Sequence, residues 1–137
     1  MRRVVVTGMG AITPVGNDID TMWANMLAGV NGVEKITSFD TSDLKVHLAG
    51  TVKNFEPEKY IEKRELRKLD IYCQYAIAAA QQAVDDSGIL GNINEERFGV
   101  YIGAGIGGHH SFVNNVTALN EGGPRKASPL CITILLH

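Results

Sequence analysis

The sequence predicts an α/β fold, and three observations carry that prediction. A β-branched run, Arg2 to Thr7, stops at Gly8. Apolar residues then recur at helical spacing, first over Ile19 to Leu27 and again over Leu69 to Ser87. A second β-rich run, Phe98 to Ile102, ends in the glycine cluster Gly103 to Gly108. Strand, helix, helix, strand is the order of a sheet with helices packed on it. Two or three strands make only a small sheet, so the pattern reads as part of a larger domain.

The elements follow in chain order. Val4, Val5 and Val6 favour an extended backbone, which predicts a buried strand over residues 2–7. Gly8 to Gly16, with Pro14 inside it, reads as a loop. Asn17 or Asp18 can cap a helix. Ile19, Met22, Trp23, Met26 and Leu27 then fall on one face, and Gly29 stands where a left-handed C′ glycine ends a helix. Residues 31–55 are weakly patterned, with a short strand expected within Val46 to Val52. Pro57 suits the first turn of a helix, and Lys59 to Lys68 reads as a charged helical stretch. The alanine-rich segment places Leu69, Tyr72, Tyr75, Ala76, Ala79, Ala80, Ala83 and Val84 on one stripe, narrow enough for close packing, until Gly88. Residues 109–128 are polar and rich in glycine and proline. They read as a long loop with room for one helix, and such loops are usually functional or interfacial.

Composition narrows the function. The chain has 137 residues, 45% apolar and 20% charged, which is ordinary globular composition. Its length allows one domain with one core. Thirteen basic and fifteen acidic residues give a net charge of −2, which excludes a strongly basic nucleic-acid binder. Two cysteines, Cys73 and Cys131, make no disulfide framework and fit a reduced cytoplasmic protein. The longest apolar runs fall far short of the roughly 20 residues of a membrane span. The Val4–Val6 run is too short for a signal peptide.

Several motifs invite chemistry. Gly103-Ala104-Gly105-Ile106-Gly107-Gly108 fits G-x-G-x-x-G after a strand, the pattern of a dinucleotide site. His109-His110-Ser111 gives no strong helix start, and no acidic residue on a second strand follows about 20 positions on. Glycines that let the backbone pass close to another element are the simpler reading. Neighbours on a strand point to opposite faces, so His109 and His110 make a poor metal pair. His47 and His137 lack ligand spacing. Cys73 reads as a small buried hydrophobe. Nothing in the spacing supports a Cys131–His137 nucleophile pair. Glu58 to Lys68 holds five basic and three acidic residues. Lys63 with Arg67 and Arg64 with Lys68 stack like charges at i,i+4, which repel. A docking patch for an acidic partner is one reason to keep them.

Taken together, several segments resemble the β-ketoacyl-acyl-carrier-protein synthases, most closely the type II elongating enzymes of bacterial fatty-acid synthesis. They are Arg3 to Gly10, Thr13-Pro14-Val15-Gly16, Trp23, Arg67-Lys68-Leu69-Asp70, Asp85-Asp86-Ser87-Gly88, Gly103 to Gly108, and Gly122-Gly123-Pro124-Arg125-Lys126-Ala127-Ser128-Pro129. The resemblance implies the thiolase-like fold, a layered α-β-α-β-α stack of two similar halves, of which this chain is an incomplete N-terminal half. It implies a homodimer and a decarboxylating Claisen condensation through a cysteine thiolate, two histidines and an oxyanion hole. The family's nucleophile stands in a Thr-Ala-Cys segment, and no such segment or catalytic histidine motif occurs here. No catalytic residue, cofactor or metal is therefore carried over. Gly105 and Ile106 match the acyl-pocket lining that shapes chain-length preference. Arg64, Arg67 and Lys68 match the patch that docks the acidic acyl carrier protein. Residues 114–126 match a region near the dimer interface.

The likeness ends at Pro129, and Leu130 to His137 departs from it. The expectation is a partial synthase domain over residues 1–129 and a divergent tail over 130–137, as a frameshift or truncated gene would produce. The chain alone is expected to be inactive, poorly soluble or molten, because sheet edges and an apolar face would lie open. Two other readings stand beside it: a non-catalytic module that docks acyl carrier protein, and a small nucleotide-binding α/β protein. No nucleic-acid or membrane partner is expected.

Overall fold

The computed structural model describes residues 3–129, Cys131 and Ile134. Most of the predicted divergent tail, including the Cys131–His137 pairing, lies outside the described residues. The chain forms two compact units: Met1–Glu56 with Ala79–Leu90, and Pro57–Ala78 with Gly91–His137.

In the first unit, helix α1 spans Ile19–Leu27, as its periodicity predicts. Asp18 caps it, with Oδ1 accepting from the Thr21 N–H at 2.7 Å. Gly29 follows at φ 69°, the left-handed conformation that ends a helix most easily when no Cβ is present. Strands β1 (Val33–Lys35) and β2 (Leu48–Gly50) pair antiparallel, with Glu34 opposite Ala49. The Lys53–Glu34 ion pair, 2.8 Å, ties the segment after β2 back to β1. The expected strand within Val46 to Val52 is therefore present, though shorter.

The first predicted strand is not. Residues 3–12 run without a ladder partner among the described residues, and Val4, Val5 and Val6 are 94%, 67% and 80% exposed. A strand is a paired structure, and β-branched residues without a neighbouring backbone form none. The loop that follows is well held. The Met9 N–H donates to Asp86 Oδ2 at 2.9 Å and the Ala11 N–H to Gln82 Oε1 at 3.0 Å. Gln82 Nε2 donates onward to the Asn17 carbonyl at 2.7 Å. Gln82 and Asp86 are four apart, hence on one face of a helix.

That helix, α3, spans Ile71–Ser87, after a one-turn 3₁₀ segment at Pro57–Lys59 and a short α2 at Lys63–Leu66. The charged stretch is thus broken into two short turns rather than one helix. The α3 stripe is shifted from the predicted one: Ala78 is fully enclosed while Ala80 is exposed. Gly8 and Gly10 explain part of the pattern. A Cβ on Gly10 would overlap the Ala79 carbonyl oxygen, and one on Gly8 the Ala83 carbonyl oxygen. The alanines let the glycine loop lie on the helix backbone itself.

In the second unit, Phe98 to Ile102 is likewise no strand, and Tyr101 is 96% exposed. A second 3₁₀ turn, Glu95–Arg97, precedes it. Helix α4 spans His109–Gly122, where a loop was the main expectation. Its start corrects two sequence readings. His109 and His110 lie on a helix, not a strand, and a helix does open directly after the glycine cluster. The predicted single core is also absent: among the described residues only Ile61, Cys73 and Ala78 are buried apolar side chains. No helix among them is long and apolar enough to cross a membrane.

Candidate functional site

The candidate residues all belong to the second unit. Arg64, Arg67 and Lys68 lie on or just after α2, and all three are exposed. The predicted repulsion is relieved by local acids. Arg64 Nε lies 2.7 Å from Glu62 Oε2, Lys68 Nζ 2.9 Å from Glu65 Oε1, and Lys63 Nζ 3.5 Å from Glu58 Oε1. Arg67 has no carboxylate partner among the described residues. Exposed ion pairs are worth about 0–1 kcal/mol, so these cations exchange partners at little cost. The arrangement can receive an acidic surface, with Arg67 already free.

The glycine-rich segment, Gly103 to Gly108, leads into α4. Gly108 is the N-cap, at φ 71°, and supplies no capping side chain. Ile106 is 81% exposed. A Cβ on Gly103 or Gly105 would meet nothing within 4 Å. The close-approach reading therefore fails for Gly103 and Gly105 and holds for Gly107, where a Cβ would stand 2.9 Å from Cζ of the Tyr72 ring. An apolar hollow of about 370 Å³ opens on α3, lined by Leu69, Tyr72, Cys73, Ala76, Ile77 and Ile102. Gly105 and Ile106 do not line it.

The start of α3 carries the buried polar chemistry. Asp70 is 7% exposed, and its Oδ2 accepts the Ser111 hydroxyl from the first turn of α4. The Cys73 side chain, and then burial, push Tyr72 up to about 12, so its hydroxyl stays neutral near pH 7. Burial also raises Tyr75. Cys73 is 6% exposed, as a structural thiol would be. No group of three His, Cys, Asp or Glu side chains among the described residues could hold a metal ion. In the first unit, His47 Nδ1 lies 3.2 Å from the Thr41 hydroxyl, a local contact of the β1–β2 connection.

The sequence reading missed Asp70, Tyr72 and Ser111 as a group. Asp70 entered it only within a family motif, and Ser111 only as a weak helix start. One signal was available: a serine two residues inside a helix that follows a glycine run can reach a carboxylate at the head of another helix.

A family described as "Beta-ketoacyl synthase, N-terminal domain" matches residues 1–136, and the chain belongs to that family. Among curated relatives, a 3-oxoacyl-[acyl-carrier-protein] synthase 2 of Staphylococcus aureus (strain COL) is 49% identical over 138 residues, 98% of this chain and 33% of the relative. A synthase 2 of Vibrio cholerae is 48% identical over 134 residues, 96% of this chain and 32% of its own length. Among solved structures, the ishigamide ketosynthase/chain length factor aligns with a TM-score of 0.78 at 32% identity, over 98% of this chain and 34% of that one. A ketosynthase of a type II polyketide synthase, bound to its acyl-carrier protein and a hexaketide, aligns at 0.76 with 28% identity, over 96% and 34%. The fold is thus the N-terminal portion of the thiolase-like ketosynthase fold. The chain spans about a third of the length of the relatives it matches.

Proposed function

We propose that these residues are the N-terminal part of a 3-oxoacyl-[acyl-carrier-protein] synthase of fatty-acid elongation. The observation that carries this is the 49% identity to synthase 2 relatives over 98% of the chain. In the complete enzyme an acyl group passes from its carrier thioester to a cysteine thiolate, releasing the carrier thiol. Malonyl-carrier protein loses carbon dioxide, and the carbanion attacks the acyl-enzyme, expelling the thiolate. The 137 residues contribute binding surface rather than the nucleophile. Gly105 and Ile106 face the acyl chain, and Arg64, Arg67 and Lys68 dock the acyl carrier protein. The complete enzyme is a cytoplasmic homodimer. The synthase portion runs to residue 129, with 130–137 as a divergent tail.

A condensation assay on the purified 137-residue chain should show no turnover above buffer, and measurable turnover would overturn that assignment. Charge reversal of Arg64, Arg67 and Lys68 in the complete synthase should raise KM for acyl-carrier substrates and flatten its salt dependence. An unchanged KM would remove the docking patch. Sequencing the encoding DNA past codon 129 in every frame tests the boundary: resumed family pattern in another frame supports a divergent tail, and uninterrupted pattern in the same frame removes it.

The exposed and unpaired Arg67 favours a second reading, a module that holds acyl carrier protein without catalysis. Its mark would be a salt-sensitive complex between the 137-residue chain alone and acyl carrier protein.

A further inference from the structure

We propose that Asp70, Tyr72 and Ser111 are positioning residues that fix the Gly103–Gly108 loop, and through Ile106 set the acyl-chain lengths that the synthase accepts. This rests on the acyl-condensing reading above.

Ile106 is not held by its own surroundings. It is 81% exposed, and Gly103 and Gly105 have open space where a side chain would begin. The loop is held at its root instead. Gly107 lies against the Tyr72 ring, so close that a Cβ there would stand 2.9–3.1 Å from three ring carbons. The Ser111 hydroxyl, in the first turn of α4, donates a hydrogen bond to Asp70 Oδ2. The Asp70 carbonyl in turn accepts from the Gln74 N–H at 3.2 Å, which seats this residue at the head of α3. Both anchors thus come from one end of one helix, two residues apart.

A hydroxyl hydrogen bond to a carboxylate oxygen is directional and geometrically demanding. It places the first turn of α4, and the loop ends where that turn begins. Gly108, left-handed at φ 71°, is the joint between them. A displacement of the root therefore moves Ile106, whose side chain is mostly exposed. About 1 Å of misplacement can cost on the order of a hundredfold in rate. One methylene in an apolar pocket is discriminated by roughly 10- to 200-fold. Root geometry is thus a sensitive control of chain length, although neither Asp70 nor Ser111 need touch the substrate.

The test is the ratio of kcat/KM for long and short acyl-carrier substrates, measured on the complete synthase. Ser111→Ala and Asp70→Asn should each change that ratio about tenfold. Ser111→Thr, which keeps the hydroxyl, should return it to within about twofold of the unsubstituted enzyme. Tyr72→Phe keeps the ring and should leave the ratio alone, whereas Gly107→Ala presses on the ring and should shift it. An equal loss for all chain lengths, or a lowered melting temperature with an unchanged ratio, would overturn the proposal. If Ser111→Ala does not fold, Gly107→Ala decides by the same ratio. Should the unsubstituted synthase form no condensation product, the functional reading itself fails, an outcome distinct from an active enzyme whose ratio does not move.

Discussion

A methyl group added at Gly10 would overlap the Ala79 carbonyl oxygen, and would also stand 2.7 Å from the Gln82 Cβ; one added at Gly105 would meet no atom within 4 Å. Both glycines follow a β-rich run and both belong to glycine clusters of similar appearance. The first cluster is a packing device. It brings the 8–11 backbone onto α3 and is fastened there by Gln82 and Asp86. The second is an open loop held at its root, by Tyr72 and by Ser111 with Asp70. Glycine permits close approach in one place and leaves space in the other: Gly10 meets Ala79 and Gln82 of α3, whereas Gly105 meets no atom.

The sharpest way to break this contrast is to put alanine at each position. Gly10→Ala forces a backbone shift and should cost about 2 kcal/mol or more. Gly105→Ala should change stability by less than about 0.5 kcal/mol. Urea unfolding of the complete synthase, followed by far-ultraviolet circular dichroism, reads both, and equal effects would erase the distinction.

Next in size is Gln82→Ala, which leaves the Ala11 N–H and the Asn17 carbonyl without their partner. A loss of about 1–3 kcal/mol is expected in the same unfolding series. A loss near zero would mean that the glycine contact and the Met9–Asp86 bond hold the first loop without it.

The helix that follows each loop sharpens the contrast further. Asp18 caps α1 with a side chain, whereas Gly108 caps α4 with none. Asp18→Ala should cost about 1 kcal/mol. Hydrogen bonds from Thr21 lower the Asp18 carboxyl below its ordinary value. The capping contribution is therefore complete above the ordinary carboxylate range and is lost as the pH falls through the depressed folded value. Amide exchange resolved by residue should show α1 loosening in acid before α4, and the reverse order would sink this. The smallest effect belongs to the surface pairs beside α2. Glu62→Gln, which releases Arg64, should alter stability by less than about 0.5 kcal/mol.

Helical elements were legible because their signals are local. The stripe from Ile19 to Leu27, the Asp18 cap and Gly29 all act within one segment, and α1 forms where they place it. Ala-rich α3 and its stop at Gly88 follow for the same reason. The two β-rich runs misled because a strand requires a partner elsewhere. Val4–Val6 and Val100–Ile102 have strand composition and no ladder among the described residues. Helix α4 was read chiefly as loop because its opening residues, His109, His110 and Ser111, carry no cap of their own. Ser111 faces a carboxylate 41 residues earlier in the chain. No local pattern reports such a pairing. The basic residues on and after α2 were legible as a charge excess, but their acidic neighbours only once α2 proved short.

Val4 to Val6 and Val100 to Ile102 are extended-chain sequences with most of their apolar surface open. Their fate during biosynthesis follows from this. On the ribosome such stretches emerge long before distant partners exist, at roughly 5–20 residues per second. Bare hydrophobic β-formers are templates for intermolecular pairing in that interval. Cells making this polypeptide should place a heavy demand on holdase chaperones, and overproduction without them should drive it into inclusion bodies.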